Sequence, residues 1–380
     1  MSFEAKTLFE SDFAESAQRF ARDMGQEMGD AKLTATTHAM FESRWRQAID
    51  QGWQACLIPE SLGGLGGSLT DFCALLEAAS RSALRLPVAT GFGVPAILLR
   101  SLDNEPANVL MQSIASGQTC LQPAILDLQA CDLRAADDTL CATVGADATV
   151  KVNGTISGIE QIPGATDILL VCPLADRPDQ YVIALTGLND VNQVRAQAER
   201  IDGRTTLSLS FENHLLQPFQ ILAQGSRATA ALTQARSMGR LFVCVGAAAA
   251  MGMNIEQTLQ YLRDRQQFGV SLSTFQALRH YMAAAYSKYE CYRALVRSVV
   301  LQASQNGGVS QEDMSLLKVY LSHVGPMIAH TVIQVHGGMG MTEALFASRL
   351  NKIILMASME YGDGQFHVGQ VLDTREALAA

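Results

Sequence analysis

Apolar positions recur at helical spacing towards both ends of the chain and switch to alternation in its middle. Between Phe13 and Met28, the residues Phe13, Ala17, Phe20, Ala21 and Met24 fall near a 3.6-residue period, which predicts an amphipathic helix. The stretch Ile58-Pro59-Glu60-Ser61-Leu62-Gly63-Gly64-Leu65-Gly66-Gly67 breaks it, since one proline and four glycines oppose continued helix. The helical period resumes from Leu69 to Leu84. From about Cys120 to Gln220 the spacing predicts strands. Thr149 to Ile156 alternates around Asn153-Gly154, a turn signal that predicts a β-hairpin there. Asp167–Cys172, Tyr181–Leu185 and Thr206–Phe211 read as further strands. After Pro218 the helical period returns. Arg227 to Arg265 forms one long run. Thr274 to Gln305 carries Phe275, Leu278, Met282, Ala285, Tyr289, Tyr292 and Val296 on one face and stops at Asn306-Gly307-Gly308. Ser310 to Val335 opens with a Ser310/Asp313 pair resembling a capping box, and Pro326 inside it predicts a kink or a split. The expected fold class is mainly α with an inserted β-domain: helices over 1–118, a β-domain over 119–222, and a helical bundle over 223–380.

Composition adds burial and a partner. A hydrophobic share of 48% with only 17% charged residues predicts extensive apolar contact, including contact between subunits. The net charge of −9 argues against nucleic acid and anionic membrane as partners, while leaving room for a local arginine to hold an anion. The cysteines at 56, 73, 120, 131, 141, 172, 244 and 291 form no C-x-x-C pair. Several lie in apolar runs, so they are expected to be reduced, buried thiols of a cytoplasmic protein. Met1 to Glu10 is mixed polar and acidic and does not read as a signal peptide. No uninterrupted apolar run reaches the ~18 residues of a membrane span, so no span is expected.

Candidate chemistry concentrates in two segments, each following a long helical run: Arg265-Gln266-Gln267-Phe268-Gly269 and Gln334-Val335-His336-Gly337-Gly338-Met339-Gly340. An arginine presents a rigid cationic fork to a diphosphate. Clustered glycines let backbone N–H groups approach an anion with no Cβ in the way. Taken singly, Arg265 reads as a helix-end cation and the glycines as a helix cap. His336 reads as structural, and Tyr281, Tyr286, Tyr289 and Tyr292 as core or interface residues.

Taken together, the motifs resemble the acyl-CoA dehydrogenase family over nearly the whole chain. The resemblance rests on Gly52-Trp53 leading to Pro59-Glu60-Ser61-Leu62-Gly63-Gly64, on Val152-Asn153-Gly154, and on Asp202-Gly203-Arg204. Arg265-x-Gln267-Phe268-Gly269, Phe275-Gln276 and Gln334-x-x-Gly337-Gly338-x-Gly340 complete it. It implies an N-terminal helical domain, a middle β-barrel-like domain and a C-terminal four-helix bundle. It also implies FAD shared between subunits, with the ADP half reached by a neighbour's bundle. On that basis Arg265 meets the pyrophosphate, Gln334, Gly337 and Gly338 line the adenosine end, and Gln267, Phe268 and Gln276 complete the surface. The implied chemistry is α,β-dehydrogenation of an acyl-CoA, with electron-transfer flavoprotein as acceptor.

The departures from the family pattern fall on the chemistry. The two positions where members carry a catalytic carboxylate hold Tyr361 and Gly239, and tyrosine, with a pKa near ~10, is a poor base near neutrality. No catalytic residue is therefore assigned. Glu360 and Asp363 remain as relocated-base alternatives, Asp363 reading more readily as a turn residue. Arg240 matches a family arginine near the acyl-CoA, with a structural ion pair equally open. The stretch equivalent to the family's flavin loop, Gln122 to Leu128, has no glycine and no hydroxyl. The pattern resembles the small subunits of heteromeric members of the pimeloyl-CoA and steroid side-chain type. It implies a related chain as partner in an α2β2 heterotetramer, with the acyl-CoA at the partner's site. A self-sufficient flavoenzyme and a non-redox scaffold subunit are the alternatives.

Overall fold

The computed structural model describes residues 6–27, 35–125, 140–191 and 193–379. The first helices are α1 (Asp12–Glu27), α2 (Ala35–Asp50), α3 (Leu69–Arg81), α4 (Val94–Leu102) and α5 (Glu105–Ala115). Strands β1 (Leu121–Ile125), β2 (Cys141–Val144), β3 (Val150–Glu160), β4 (Asp167–Pro173), β5 (Tyr181–Gly187), β6 (Gln193–Glu199), β7 (Thr205–Leu216) and β8 (Ile221–Gly225) follow. The chain then runs through α6 (Ser226–Asp264), a two-stranded hairpin of β9 (Gln266–Gln267) and β10 (Val270–Ser271), α7 (Gln276–Asn306), α8 (Gln311–His336), α9 (Phe346–Met359) and α10 (Gly364–Ala379). Its contacts separate into two compact units, and α6 contributes to both.

One unit takes Met1–Lys32, Leu69–Arg85 and Arg240–Ala380. Here α8 packs against α7, α9 and α10, and α1 against α3. Phe72 and Phe242 meet edge to face at 4.9 Å. Gly252 admits the Tyr289 hydroxyl, which a Cβ there would approach to 2.4 Å. The helix ends follow the residues that predicted them. The Ser310 hydroxyl accepts the Asp313 amide at 3.0 Å, a cap of about 1 kcal/mol. Gly307 ends α7 in the left-handed region at φ 72°. Leu8 and Phe9 reach the unit as a strap, their amides donating to the buried Glu77 carboxylate at 2.8 and 3.3 Å.

The other unit takes Leu33–Ser68 and Leu86–Gly239. It holds two four-stranded sheets, ordered β1-β4-β5-β8 and β2-β3-β7-β6, in which only the β1–β4 pair is parallel. Alternate residues of both sheets bury one core, including Val150, Val152, Ile156, Ile168, Leu170, Val182, Leu209 and Phe211. Trp45 of α2 stacks on Phe92 at 4.0 Å and donates its indole N–H to Cys120 Sγ at 3.4 Å.

Several expectations change. Asn153-Gly154 makes no hairpin turn: β3 runs straight through it. The turn falls earlier, where Gly145 N–H donates to Thr149 O. Gly154, at φ 107°, sits at a shift of register against β7, and Asn153 Oδ1 accepts the Asn213 amide. Pairing on both edges of β3 outweighs the local turn signal. Pro326 does not split α8, which is one helix. From Ser226 onward the described residues form the helices α6 to α10, in keeping with the expected helical bundle. By length and mean hydropathy, Ser226–Asp264 and Gln311–Met341 reach what a membrane span requires; the apolar window of the first is 78% buried inside the protein, the pattern of a core helix. All seven described cysteines are free; Cys56, Cys73, Cys172 and Cys244 are buried, whereas Cys291 is exposed.

Candidate cofactor site

Residue by residue, α6 ends in a hairpin aimed at solvent. Arg265 N–H still donates to Tyr261 O, and Leu272 N–H returns to Arg265 O at 2.9 Å. Ser271 Oγ lies 2.9 Å from both Leu262 O and Arg263 O, where its proton bridges the last helical carbonyls. The strands pair Gln266 with Ser271 and Gln267 with Val270 around a two-residue turn, Phe268-Gly269, with φ of 53° and 79°. Positive φ at both central residues is the hairpin turn that matches strand twist. Glycine adopts it freely and phenylalanine does not. Phe268 is nevertheless 91% exposed, its ring set T-shaped to that of Phe275 at a centroid distance of 6.2 Å. Arg265 is exposed too, and among the described residues none offers its guanidinium a hydrogen bond or an ion pair. Gln276 opens α7, exposed, while the Gln267 amide folds back on Gln266 O at 2.8 Å.

The second segment leaves from the same place. Tyr261 and His336 stack with centroids 4.4 Å apart. The His336 Nδ1–H donates to Val332 O at 2.8 Å, and burial holds the ring's pKa below its ordinary value, the Val332 carbonyl pulling the other way. The histidine is structural, and its place in the structure is what joins the two helix ends. Gly337 follows at φ 61°; a Cβ on it or on Gly338 would meet nothing within 4 Å. At Gly340 a Cβ would come 2.6 Å from Ile333 O. Gly340 is thus a packing glycine, while Gly337 and Gly338 face open space beside the exposed Gln334. Arg265, Gln267, Phe268, Gln276, Gln334, Gly337 and Gly338 all lie on the bundle unit, and both motifs depart from the ends that Tyr261 and His336 tie together.

The base positions hold no accessible carboxylate. Tyr361 is 4% exposed at φ 60°, and Gly239 lies buried within α6. Two buried residues fix the turn at 360–362. Lys318 Nζ donates to Ala357 O at 2.7 Å and to Glu360 O at 2.5 Å, a cation on the carbonyl end of α9. His367 Nε2–H donates to Tyr361 O at 3.0 Å, and its Nδ1 accepts the Ser315 hydroxyl at 3.1 Å. Burial, reinforced by the positive charges of Arg240 and Lys318, lowers the His367 pKa to about 4. Asp363 Oδ1 accepts the Phe366 amide at 2.9 Å, so this carboxylate caps α10. Glu360 is 5% exposed.

In the β-sheet unit, Gln122–Ile125 of the flavin-loop equivalent is strand β1; Leu126 to Leu128 lie outside the described residues. Gln122 is buried, its Oε1 accepting the Ile162 amide at 2.9 Å and its Nε2 donating to Glu160 O at 2.8 Å. The buried Glu160 carboxylate accepts the Thr90 hydroxyl at 2.6 Å and Arg204 Nη1 at 3.0 Å. Arg204 also pairs with Asp202 at 2.7 Å, to which Arg200 adds a contact at 3.2 Å. Lys318, His367, Tyr261 and Glu160 were not singled out from sequence. Lys318 alone left a visible trace, as a cation within the apolar run Met314-Ser315-Leu316-Leu317-Lys318.

Comparison with known proteins agrees with this layout. Residues 9–116 match the model of the acyl-CoA dehydrogenase N-terminal domain, and residues 229–374 that of the C-terminal domain. The chain is similar to acyl-CoA dehydrogenase IpdE2 of Mycolicibacterium smegmatis, at 25% identity over 300 residues, 78% of this chain and 76% of that protein. Butyryl-CoA dehydrogenase from Megasphaera elsdenii superposes with a TM-score of 0.81 at 15% identity, over 99% of this chain and 100% of that one. The ChsE4-ChsE5 complex from Mycobacterium tuberculosis gives 0.79 at 18%, over 98% and 99%. At such identities these two structures show the fold.

Proposed function

This chain belongs to the acyl-CoA dehydrogenase family, and we propose that within it the chain is the partner subunit of a heteromeric enzyme, contacting the ADP half of FAD whose flavin serves a related chain. FAD is the cofactor of the family, and when bound it takes up the hydride removed from an acyl-CoA. The residues of the bundle unit fit its ADP half. Arg265 offers an uncommitted guanidinium to a diphosphate. Gly337 and Gly338 leave backbone N–H groups approachable, and Phe268 offers an exposed ring at a conformational cost the fold does not require.

The observation carrying this reading is the Tyr261–His336 stack, which puts the exposed cation and the open glycines at adjoining helix ends. The partner role is supported by what stands at the base positions: a buried phenol at Tyr361, no side chain at Gly239, and a helix-capping carboxylate at Asp363. A solved neighbour of the same fold is itself a complex of two chains. The assembly read this way is an α2β2 heterotetramer, with acyl-CoA at the related chain's site and electron-transfer flavoprotein as acceptor. The free thiols fit a reducing, cytoplasmic setting.

The test is co-purification. Alone, the full chain is expected to be colourless. With its related chain it is expected to be yellow and active, and Arg265→Ala should weaken FAD binding of that assembly about 10- to 100-fold. A yellow, active homo-oligomer, or an unchanged FAD content in the variant, overturns the reading.

A further inference from the structure

Resting on that reading, we propose that His336 is an acid-operated latch on the ADP-facing surface: neutral, it holds the two helix ends together, and protonated, it lets them part and FAD leaves. The imidazole lies on the Tyr261 ring of α6 at 4.4 Å, tilted by 33°, while its own chain turns at once into Gly337 at φ 61°. The hairpin on the other side is closed within itself, by Leu272 N–H on Arg265 O and by Ser271 Oγ beside Leu262 O and Arg263 O. A displaced His336 therefore carries Gly337 and Gly338 away while Arg265 stays in place. A diphosphate ligand reached by both segments then keeps one of its two holds.

A proton on this ring is poorly placed in the closed arrangement. Nδ1–H is committed to Val332 O at 2.8 Å, so the proton enters at Nε2 and makes an imidazolium of a residue that is 4% exposed. The groups around it do not offset that charge. From α6 comes the phenol of Tyr261, with Arg265 one turn beyond. From α8 comes the Val332 carbonyl, already in use. The turn Gly337–Met341 packs back on the histidine through Gly340, whose Cβ would stand 3.2 Å from that of His336, and it contains no titratable residue. Among the described residues no carboxylate pairs with the ring. Glu343, the next carboxylate along the chain, is paired with Lys352.

Burial outweighs the pull of the carbonyl and holds the ring below its ordinary 6.5. A buried cation without a counter-ion is costly, and the face of one phenol does not replace its hydration. The closed state is thus favoured in full above about pH 6.5 and is lost as the pH falls below that value, through the lowered pKa.

The FAD-containing assembly that forms around the tagged full chain can be titrated from pH 8 to pH 5, with released flavin counted by absorbance after ultrafiltration. The Kd for FAD should rise by up to about 10-fold for each pH unit below the His336 pKa. His336→Gln should remove that slope, and His367→Gln should keep it. A level profile in the parent, or the same slope in His336→Gln, overturns the latch. Because His336→Gln also removes the stack, a readout on the unaltered chain stands beside it. Deuterium exchange at the imidazole C2 carbon reports the pKa of His336, the one histidine in a peptide covering 331–341. Linkage is reciprocal, so bound FAD should lower that pKa. The same value with and without FAD overturns the latch, even where the variant fails to assemble. Arg265→Ala at pH 8 decides the ADP contact separately: an unchanged FAD content there overturns that contact, while the slope and the pKa of His336 still decide the latch.

Discussion

Tyr261 near the end of α6 and His336 at the end of α8 stack at 4.4 Å, and this contact decides where both cofactor motifs begin. Arg265 lies one helical turn beyond the tyrosine, and Gly337 directly follows the histidine. Tilted aromatic stacking of this kind is worth about 0.5–1.5 kcal/mol beyond the area it buries. The His336 Nδ1–H bond to Val332 O fixes the ring in one orientation, so the helix ends are held at an angle and not merely near each other.

Phe268 separates fold from function at the hairpin tip. Phe268→Gly removes a side chain from a left-handed position, where an L-residue costs about 1–2 kcal/mol. The variant is expected to melt no lower than the parent while retaining less FAD in the assembly. Thermal melting and flavin absorbance report the two effects separately. Unchanged FAD content would make the exposed ring irrelevant to the cofactor.

Asp363 distinguishes a cap from a base. Asp363→Ala loses the bond to the Phe366 amide and should cost about 0.5–2 kcal/mol of stability. Asp363→Asn caps equally well and should restore it, with turnover of the assembly unchanged against an artificial electron acceptor. Restored stability with abolished turnover would instead make Asp363 the base.

His367 makes the bundle unit acid-sensitive. Burial lowers its pKa to about 4 from an ordinary 6.5, so between those values the unfolded chain binds the proton more tightly. Its contribution is then present in full above pH 6.5 and lost as the pH falls through about 4. Melting followed from pH 8 to pH 4 should fall more steeply for the parent than for His367→Gln, which cannot take up that proton. Parallel curves would contradict the assignment.

How much of this was legible beforehand depended on how local the signal was. Ser310 and Gly307 mark the ends of α8 and α7 because caps act within a few residues, and both stand where the sequence placed them. Asn153-Gly154 is equally local, yet the pairing of β3 with β2 and β7 carries the strand through it. Lys318 and His367 were overlooked because their partners, Glu360 O and Tyr361 O, are backbone carbonyls, which residue types do not reveal. Glu160 was overlooked because Thr90, Gln122 and Arg204 reach it from segments far apart in the chain.

By itself the sequence determined the helical and strand periods, the two anion-suited motifs, and the missing carboxylates at Tyr361 and Gly239, because each depends on residue type and short-range spacing. Tertiary structure alone decided that Arg265 and the Gly337-Gly338 pair leave from adjoining helix ends. It alone decided that Asp363 caps a helix, and that Thr90, Gln122 and Arg204 meet on the buried Glu160. Each of these turns on which polar groups remain uncommitted after folding, and that depends on contacts between residues distant in the chain.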